Sequence, residues 1–97
     1  MKEYAYRVER KNLANNDQRW EPVGVFNRDR YSPALDALLC VLEWSRTHSK
    51  FSQADREAVL MQLLAELNDM GTIRIYDGIG KRWFEIVRLE STATEED

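Results

Sequence analysis

The sequence predicts an α+β domain in which two terminal β-hairpins form an antiparallel sheet and an antiparallel pair of helices packs on one of its faces. Three observations predict this fold class. Apolar and polar residues alternate before residue 27 and again after residue 71, which is the period of strands. Between these regions the period becomes that of helices, and a short polar segment divides the helical region in two. The predicted order of elements is ββααββ, while the strand order and whether the two hairpins join into one sheet stay open.

The first hairpin is predicted from residues 3–11 and 20–26. In EYAYRVERK, Tyr4, Tyr6 and Val8 share one side of a strand. The second strand, WEPVGVF, contains Pro22, which cannot donate to a ladder, and Gly24, which weakens one. We therefore expect the second strand to be an edge strand or a bulged one.

The first helix is predicted to begin after Ser32, which is a good N-cap, and to run to about Arg46. Pro33 takes the first helical position, where its missing N–H costs nothing. Cys40 and Trp44 fall on the side opposite the predicted core stripe. That stripe consists of Leu35, Leu38, Leu39 and Leu42. The polar residues 47–50 then form a break that folds the next helix back on the first.

The second helix is the segment on which we expect the rest of the chain to pack. Ser52 and Asp55 mark its start, and Gly71 is suited to a left-handed cap at its end. Its predicted core face consists of Val59, Leu60, Leu63, Leu64, Leu67 and Met70. A thinner face carries Ala54, Ala58, Met61 and Ala65, which predicts a contact on a second side of the helix.

The last hairpin is predicted from strands at residues 72–76 and 81–89, joined by a turn at Asp-Gly-Ile-Gly. Ile73 and Ile75 share a face of the first of these strands. In the second strand, apolar residues occupy both faces, which predicts a central strand or one that is covered on each side. Residues 1–89 are therefore predicted to form one domain, followed by an acidic, disordered tail at residues 90–97.

Composition narrows the class of protein. The chain has 97 residues, of which 43% are hydrophobic and 32% charged, as expected for one soluble domain. It contains no apolar run of the ~18 residues that a membrane span requires, and its N-terminus has no secretion signal. The single cysteine, Cys40, allows no internal disulfide. We therefore expect a cytoplasmic protein that does not contact membranes.

Residues with catalytic potential are sparse. His48 is the only histidine and has no predicted partners, so we interpret it as a loop or cap residue. Cys40 is interpreted as an inert thiol because no cationic run adjoins it. The Asp-Gly-Ile-Gly turn precedes a strand rather than a helix, unlike most phosphate-binding loops. Asp55, Glu66 and Asp69 lie on a solvated helix face. We expect no enzymatic activity, no metal and no cofactor.

The charge distribution favours binding over catalysis. The net charge is −3, but residues 1–31 carry seven basic and five acidic side chains, and residues 72–89 carry four and two. Residues 32–71 carry three basic and six acidic side chains. We expect a small module that binds a partner protein and also associates with itself as a homodimer. The candidate contact residues are Trp44, Arg74, Arg82 and Trp83, since Trp and Arg are frequent interface anchors.

The alternative hypothesis is nucleic-acid binding through the basic, aromatic hairpins, because sheets that bind single strands combine stacking rings with cations. Its candidate residues are Arg7, Arg74, Tyr76, Lys81 and Arg82. The run LLAELNDMGTIRIYDGIGKRWFEIV resembles the recognition helix and wing of winged-helix proteins, which implies the same function. That fold has three helices where two are predicted here. The small, acidic chain is also similar in profile to phage-encoded inhibitors such as anti-CRISPR and antirestriction proteins. An enzyme is the third hypothesis.

Overall fold

The four strands pair into one antiparallel sheet in the order β2-β1-β4-β3, and the helices pack on one of its faces. This arrangement is seen in a computed structural model that describes residues 4–14, 18–27 and 32–89. The predicted α+β class is therefore confirmed, while the predicted tail at 90–97 lies outside the described residues. The elements are β1 (Ala5–Asn12), β2 (Glu21–Phe26), α1 (Pro33–Trp44), α2 (Arg46–Ser49), α3 (Gln53–Met70), β3 (Thr72–Asp77) and β4 (Arg82–Leu89).

The two hairpins join through the pairing of β1 with β4, so each hairpin supplies one central strand. The register places Val8 opposite Ile86 and Arg7 opposite Val87. The edge strand β2 pairs irregularly with β1, and the register shifts between Val8 and Glu9. Both the edge position and the irregularity were predicted from Pro22 and Gly24. Because β4 pairs on both sides, the last hairpin is part of a larger sheet rather than a free-standing wing.

The hydrophobic core lies between the sheet and α1. Alternation along the strands sends one set of side chains toward the helices, and these side chains are almost completely buried. The sheet contributes Tyr6, Val8, Ile73, Ile75, Phe84 and Ile86, and the helices contribute Ala34, Ala37, Leu38, Val41 and Leu67. The prediction that Ile73 and Ile75 share a buried face is confirmed.

The face of α1 that is buried differs from the predicted stripe. Leu35 is only half-buried and Leu39 is 45% exposed. The buried set is Ala34, Ala37, Leu38, Val41 and Leu42. The alanines let the backbone of α1 lie close to the sheet, so the helix turns its small residues inward and leaves Leu39 toward α3. The helix also ends earlier than predicted, at Trp44, and the expected polar break contains the short helix α2.

The caps of α3 are those that the sequence predicts. The Ser52 hydroxyl accepts a hydrogen bond from the Asp55 N–H at 3.1 Å, and Gly71 has a left-handed conformation with φ of 80°. Arg88 caps the C-terminal end of α3, because one of its guanidinium nitrogens donates a hydrogen bond to the Asn68 carbonyl oxygen at 3.4 Å. A cation at this end also opposes the negative end of the helix dipole.

The prediction that the chain packs around α3 is wrong. Leu67 is the only residue of α3 that is fully buried, and Met70, predicted in its core face, is 67% exposed. The face formed by Ala54, Ala58, Met61 and Ala65 is exposed along its length. The reason is position, since α3 contacts the sheet at its edge strand β3 and otherwise packs on α1. Each described helix is too short or too polar to cross a membrane.

Candidate functional site

One face of the sheet has no helix packed on it among the described residues, and we call it the open face. Strand alternation places the side chains that oppose the core residues on this face. It consists of Ala5, Arg7, Glu9 and Lys11 from β1, Val25 from β2, Thr72, Arg74 and Tyr76 from β3, and Trp83, Glu85, Val87 and Leu89 from β4. Cations, rings and apolar groups therefore share one surface.

The register arranges this surface in cross-strand rows. Lys11, Trp83 and Tyr76 face one another across β1, β4 and β3. The Trp83 and Tyr76 rings pack with their centroids 4.9 Å apart at an interplanar angle of 43°. Such tilted pairs are worth about 0.5–1.5 kcal/mol beyond the area they bury. Tyr76 is nevertheless 47% exposed, so the ring pair offers a surface to a partner.

Trp20, which precedes β2, reaches over the same face. Its ring centroid lies 5.8 Å from the Lys11 Nζ and 5.2 Å from the Arg74 Cζ. Lys11 is on β1 and Arg74 is on β3, and strands flanking a common neighbour are about 10 Å apart. The Trp20 ring therefore lies within cation–π distance of side chains from both strands that flank β4. We call Trp20, Tyr76, Trp83, Lys11 and Arg74 the aromatic cluster.

The charges of the open face are nearly balanced. Arg74 donates to Glu85 at 2.9 Å, and Arg7 lies 3.6 Å from Glu9. Three cations thus stand beside two carboxylates on this face, with a small positive excess. The end of the face away from the aromatic cluster carries Val25, Val87 and Leu89 together with Arg7 and Thr72, and Val25 there is 58% exposed.

The predicted contact residues separate into different regions. Arg7, Arg74, Tyr76 and Trp83 lie together on the open face. Trp44 is 47% exposed but belongs to α1, on the opposite side of the sheet. Lys81 is exposed in the turn after β3, with a positive φ of 54°.

Arg82 has a structural role beside Asp77. The Asp77 carboxylate is fully buried, and the Arg82 Nε donates to it at 3.1 Å. Arg82 also donates to the Trp44 carbonyl at 2.5 Å. The other donors to Asp77 are the Arg46 N–H at 3.1 Å, the Thr47 N–H at 3.1 Å, the Thr47 hydroxyl at 2.8 Å and the Gly80 N–H at 2.9 Å. This Asp77 cluster ties α2 to the last hairpin.

The Asp77 cluster shifts the ionisation of its carboxyl. Burial by itself would raise the pKa of Asp77, since it disfavours the charged form. The hydrogen bonds from Gly80, Thr47, Arg46 and Arg82 oppose this and hold the pKa well below its usual range. Asp77 is therefore a charged structural group.

Ser45, His48 and Asp77 are residue types found in hydrolytic triads, but here they cap a helix. Ser45 is fully buried, and its hydroxyl accepts from the His48 N–H at 3.3 Å as the N-cap of α2. The His48 Nδ1 lies 2.7 Å from the same hydroxyl. Burial lowers the pKa of His48, and the charge of Asp77 opposes that shift. A substrate has no access to the Ser45 hydroxyl, so this group does not have the geometry of a nucleophilic site.

The Asp-Gly-Ile-Gly turn uses its amides internally. The Gly80 N–H donates to Asp77, and the Ile79 N–H donates to the Thr47 hydroxyl at 3.1 Å. These donors are therefore occupied rather than directed at an anion, as the hairpin-turn interpretation predicts. Cys40 is half-buried, and burial, followed by the nearby charge of Glu43, raises the pKa of its thiol. Within the described part of the chain, no group of three His, Cys, Asp or Glu side chains could hold a metal ion.

Trp20 and Lys11 are the members of the aromatic cluster that were not among the predicted contact residues. Sequence reasoning placed Trp20 in the second strand, whereas β2 begins at Glu21. The Trp20 ring lies outside any helix or strand and contacts side chains of two different strands, and the periodicity of the sequence does not predict such a contact. The only sequence signal was a large ring beside a polar turn.

No protein-family model, curated protein or solved structure matches the chain. The chemistry of the described surfaces is therefore the guide to function. The two that combine apolar groups with charge are the open face and a groove between α1 and α3.

Proposed function

We propose that the protein is a non-catalytic binding module that docks its open face on a partner protein. The observation that carries this proposal is the aromatic cluster. Trp83 and Tyr76 pack together with Tyr76 half-exposed, and the Trp20 ring lies within cation–π distance of Lys11 and Arg74. Trp, Tyr and Arg are the residue types in which the binding free energy of protein interfaces is concentrated. In this role the protein regulates its partner by occupying a surface.

The charge balance of the open face supports a protein partner. Surfaces that bind nucleic acid are strongly positive, because each phosphate contact needs a cation. Here Glu85 and Glu9 lie against Arg74 and Arg7, and the whole chain has a net charge of −3. A protein surface with its own mixture of apolar groups and carboxylates matches this face better, with the excess of positive charge on the open face meeting a slightly acidic partner.

The other end of the face adds a second support. Val25 and Leu89 lie at the end away from the aromatic cluster, and Val25 is 58% exposed. The row of Glu9, Glu85 and Arg74 lies between this end and the Trp83–Tyr76 ring pair. A surface that combines rings, apolar residues and arginine in this way has the composition of a protein interface.

Single-stranded nucleic acid is the second candidate, and one observation favours it. The Trp20 ring lies near both the Lys11 ammonium and the Arg74 guanidinium. Surfaces that bind single strands combine rings, on which bases stack, with nearby cations, which neutralise the phosphates. Under this candidate, affinity for an oligonucleotide falls steeply with salt.

The proposal is tested with a matched pair of substitutions. Tyr76 and Trp44 are each 47% exposed, but they lie on opposite sides of the sheet. We expect Tyr76→Ala to weaken capture of a stoichiometric partner protein from the native host, and Trp44→Ala to leave it unchanged. Tyr76→Ala should lower the urea midpoint more than Trp44→Ala, because it also removes the ring packing on Trp83, so capture is compared under conditions in which circular dichroism shows both variants folded.

The outcomes separate the candidates. Loss of the partner with Trp44→Ala alone would move the interface to the helical side and contradict the proposal. Retention of oligonucleotides by the purified protein at low salt, lost with Arg74→Ala, would support the second candidate. Turnover of any substrate that disappears with His48→Ala or Cys40→Ala would instead favour an enzyme.

A further inference from the structure

The groove between α1 and α3 is a second surface, independent of the open face. It has a volume of about 510 Å³ and is lined by Leu39, Leu42, Glu43, Gln53, Arg56, Glu57 and Leu60. Leu39, on its α1 side, is 45% exposed. An apolar stripe on a helix is normally covered by another element. The groove is therefore unfilled surface in a layer that otherwise packs on the sheet.

We propose that this groove receives a basic amphipathic helix of a partner protein. The dimensions support a helix. From Gln53 to Leu60 the α3 wall is about 10.5 Å long, at 1.5 Å per residue. Anchors at positions i and i+7 of a docked helix are the same distance apart, and such helices bind through anchors at i, i+3 or i+4, and i+7. A third helix in the groove completes a packed layer of three.

The charge of the groove selects a basic occupant. Two carboxylates, Glu43 and Glu57, line it with one cation, Arg56. The surrounding segment, residues 32–71, carries six acidic and three basic side chains. Lysine or arginine on the rim of a docked helix therefore meets an attractive field.

The same charges disfavour occupants from this chain. A second copy would bring its own Glu57 and neighbouring acids against these, and like charges across an interface are repulsive. Residues 90–97 carry four acidic side chains and no basic ones, so their charge also opposes docking here.

The chain offers two matched pairs of variants for a test. Glu57 and Glu66 both lie exposed on α3, and each accepts from a glutamine four residues earlier, at 3.3 Å and 3.4 Å. Only Glu57 lines the groove. Leu39 and Met70 are both exposed apolar residues, and only Leu39 lines the groove.

The probe is a synthetic helical peptide with leucine at positions i, i+3, i+4 and i+7 and lysine elsewhere, with a scrambled peptide of the same composition as its control. Binding is measured by fluorescence anisotropy at physiological salt. We expect the amphipathic peptide to bind saturably and Glu57→Lys to weaken its binding about tenfold. The substitution replaces a carboxylate that attracts the lysines of the peptide with a cation that repels them. Leu39→Ser should weaken it similarly, while Glu66→Lys and Met70→Ser should change it less than about threefold.

Three results would overturn the proposal. Absence of saturable binding rejects a basic helix as the occupant. Equal binding of the scrambled peptide, or equal losses with Glu57→Lys and Glu66→Lys, reduces the effect to attraction by an acidic surface. A dimer in sedimentation experiments that Leu39→Ser dissociates identifies a second copy as the occupant. The open-face variant Tyr76→Ala should not affect the peptide, so this test is separate from that of the proposed function.

Discussion

Removing the Asp77 carboxylate tests how the helices are held to the last hairpin. The substitution Asp77→Ala leaves five donors without their acceptor, and the carboxylate that they share is fully buried. The donors come from two regions about 30 residues apart along the chain, namely α2 and the turn before β4. Arg82 and Thr47 also link these regions, through the Trp44 carbonyl and the Ile79 N–H, but both side chains bond to Asp77 as well, so removing Asp77 should weaken the whole connection.

The magnitude follows from the solvent access of the groups left behind. Removing one partner of a buried ion pair costs about 3–5 kcal/mol. The Arg82 side chain is 17% exposed to solvent, so water can reach its guanidinium once the Asp77 carboxylate is removed. We therefore expect a loss in the lower part of that range, about 3 kcal/mol. Small domains have a free energy of unfolding of about 5–15 kcal/mol, so the variant should fold with a markedly lower denaturation midpoint.

The assay is urea unfolding followed by circular dichroism, with m-values compared to confirm that the same transition is measured. Asp69→Ala is the control, because Asp69 is exposed on α3, and it should change the free energy of unfolding by less than about 0.5 kcal/mol. A loss of less than about 1 kcal/mol for Asp77→Ala would refute the reasoning, since neutral hydrogen bonds alone contribute that much.

The Asp77 cluster makes the free energy of unfolding depend on pH under acidic conditions. The hydrogen bonds keep the pKa of Asp77 lower in the folded protein than in the unfolded chain, so the unfolded chain binds the proton first as the pH falls. The contribution of Asp77 to stability is therefore complete above about pH 4, the unfolded pKa, and is lost progressively below it. In Asp77→Asn this part of the acid dependence should be missing.

Three further predictions concern other groups. Burial lowers the pKa of His48 in the folded state, so the free energy of unfolding should decrease as the pH falls below about 6.5. Urea midpoints measured against pH should show this decrease, and the decrease should be smaller in His48→Gln. An equal decrease in the variant would contradict the prediction. Gly71→Ala should destabilise by about 1–2 kcal/mol, because φ is 80° and the new Cβ lies 3.1 Å from the Arg88 guanidinium; an unchanged midpoint would contradict the left-handed cap. Gly80→Ala should cost more in the same assay, because its Cβ would overlap the Asp77 carboxylate, and a smaller loss than for Gly71→Ala would count against the packing of that turn.

Local patterns predicted the elements well, because each one carries its signal in neighbouring residues. Alternation defined both hairpins, and the hydroxyl of Ser52 and the left-handed Gly71 bounded α3 as expected. The apolar residues on both faces of β4 correctly indicated a central strand. In each case the determining contact lies within a few residues along the chain.

The remaining features depend on contacts between distant residues. The pairing of β1 with β4 joins the two ends of the chain, and no periodicity reports which strands become neighbours. The face of α1 was misjudged because apolar residues occupy several sides of that helix, and the close approach allowed by Ala34 and Ala37 decided which side faced the sheet. Apolar residues do recur along α3 with the period of a helix. Because α3 lies at the edge of the sheet, however, much of its apolar face is exposed.

The candidate site was predictable in part. Arg74, Tyr76 and Trp83 were recognised because basic and aromatic residues alternate in one hairpin. Trp20 joins them through a contact with Arg74, which is distant in the sequence. Arg82 belongs to the same basic and aromatic hairpin, but its side chain points to the other face and binds Asp77. Alternation predicts that neighbours point to opposite faces, but it does not tell which face the helices cover.

Photo-cross-linking tests whether the open face contacts a partner protein. A photoreactive amino acid replaces Tyr76 on the open face or, as a control, Gln62 on the solvent side of α3. We expect a discrete protein adduct from position 76 in cells of the native host, reduced by Arg74→Ala and absent from position 62. No adduct from position 76, or an adduct with nucleic acid instead of protein, would contradict it.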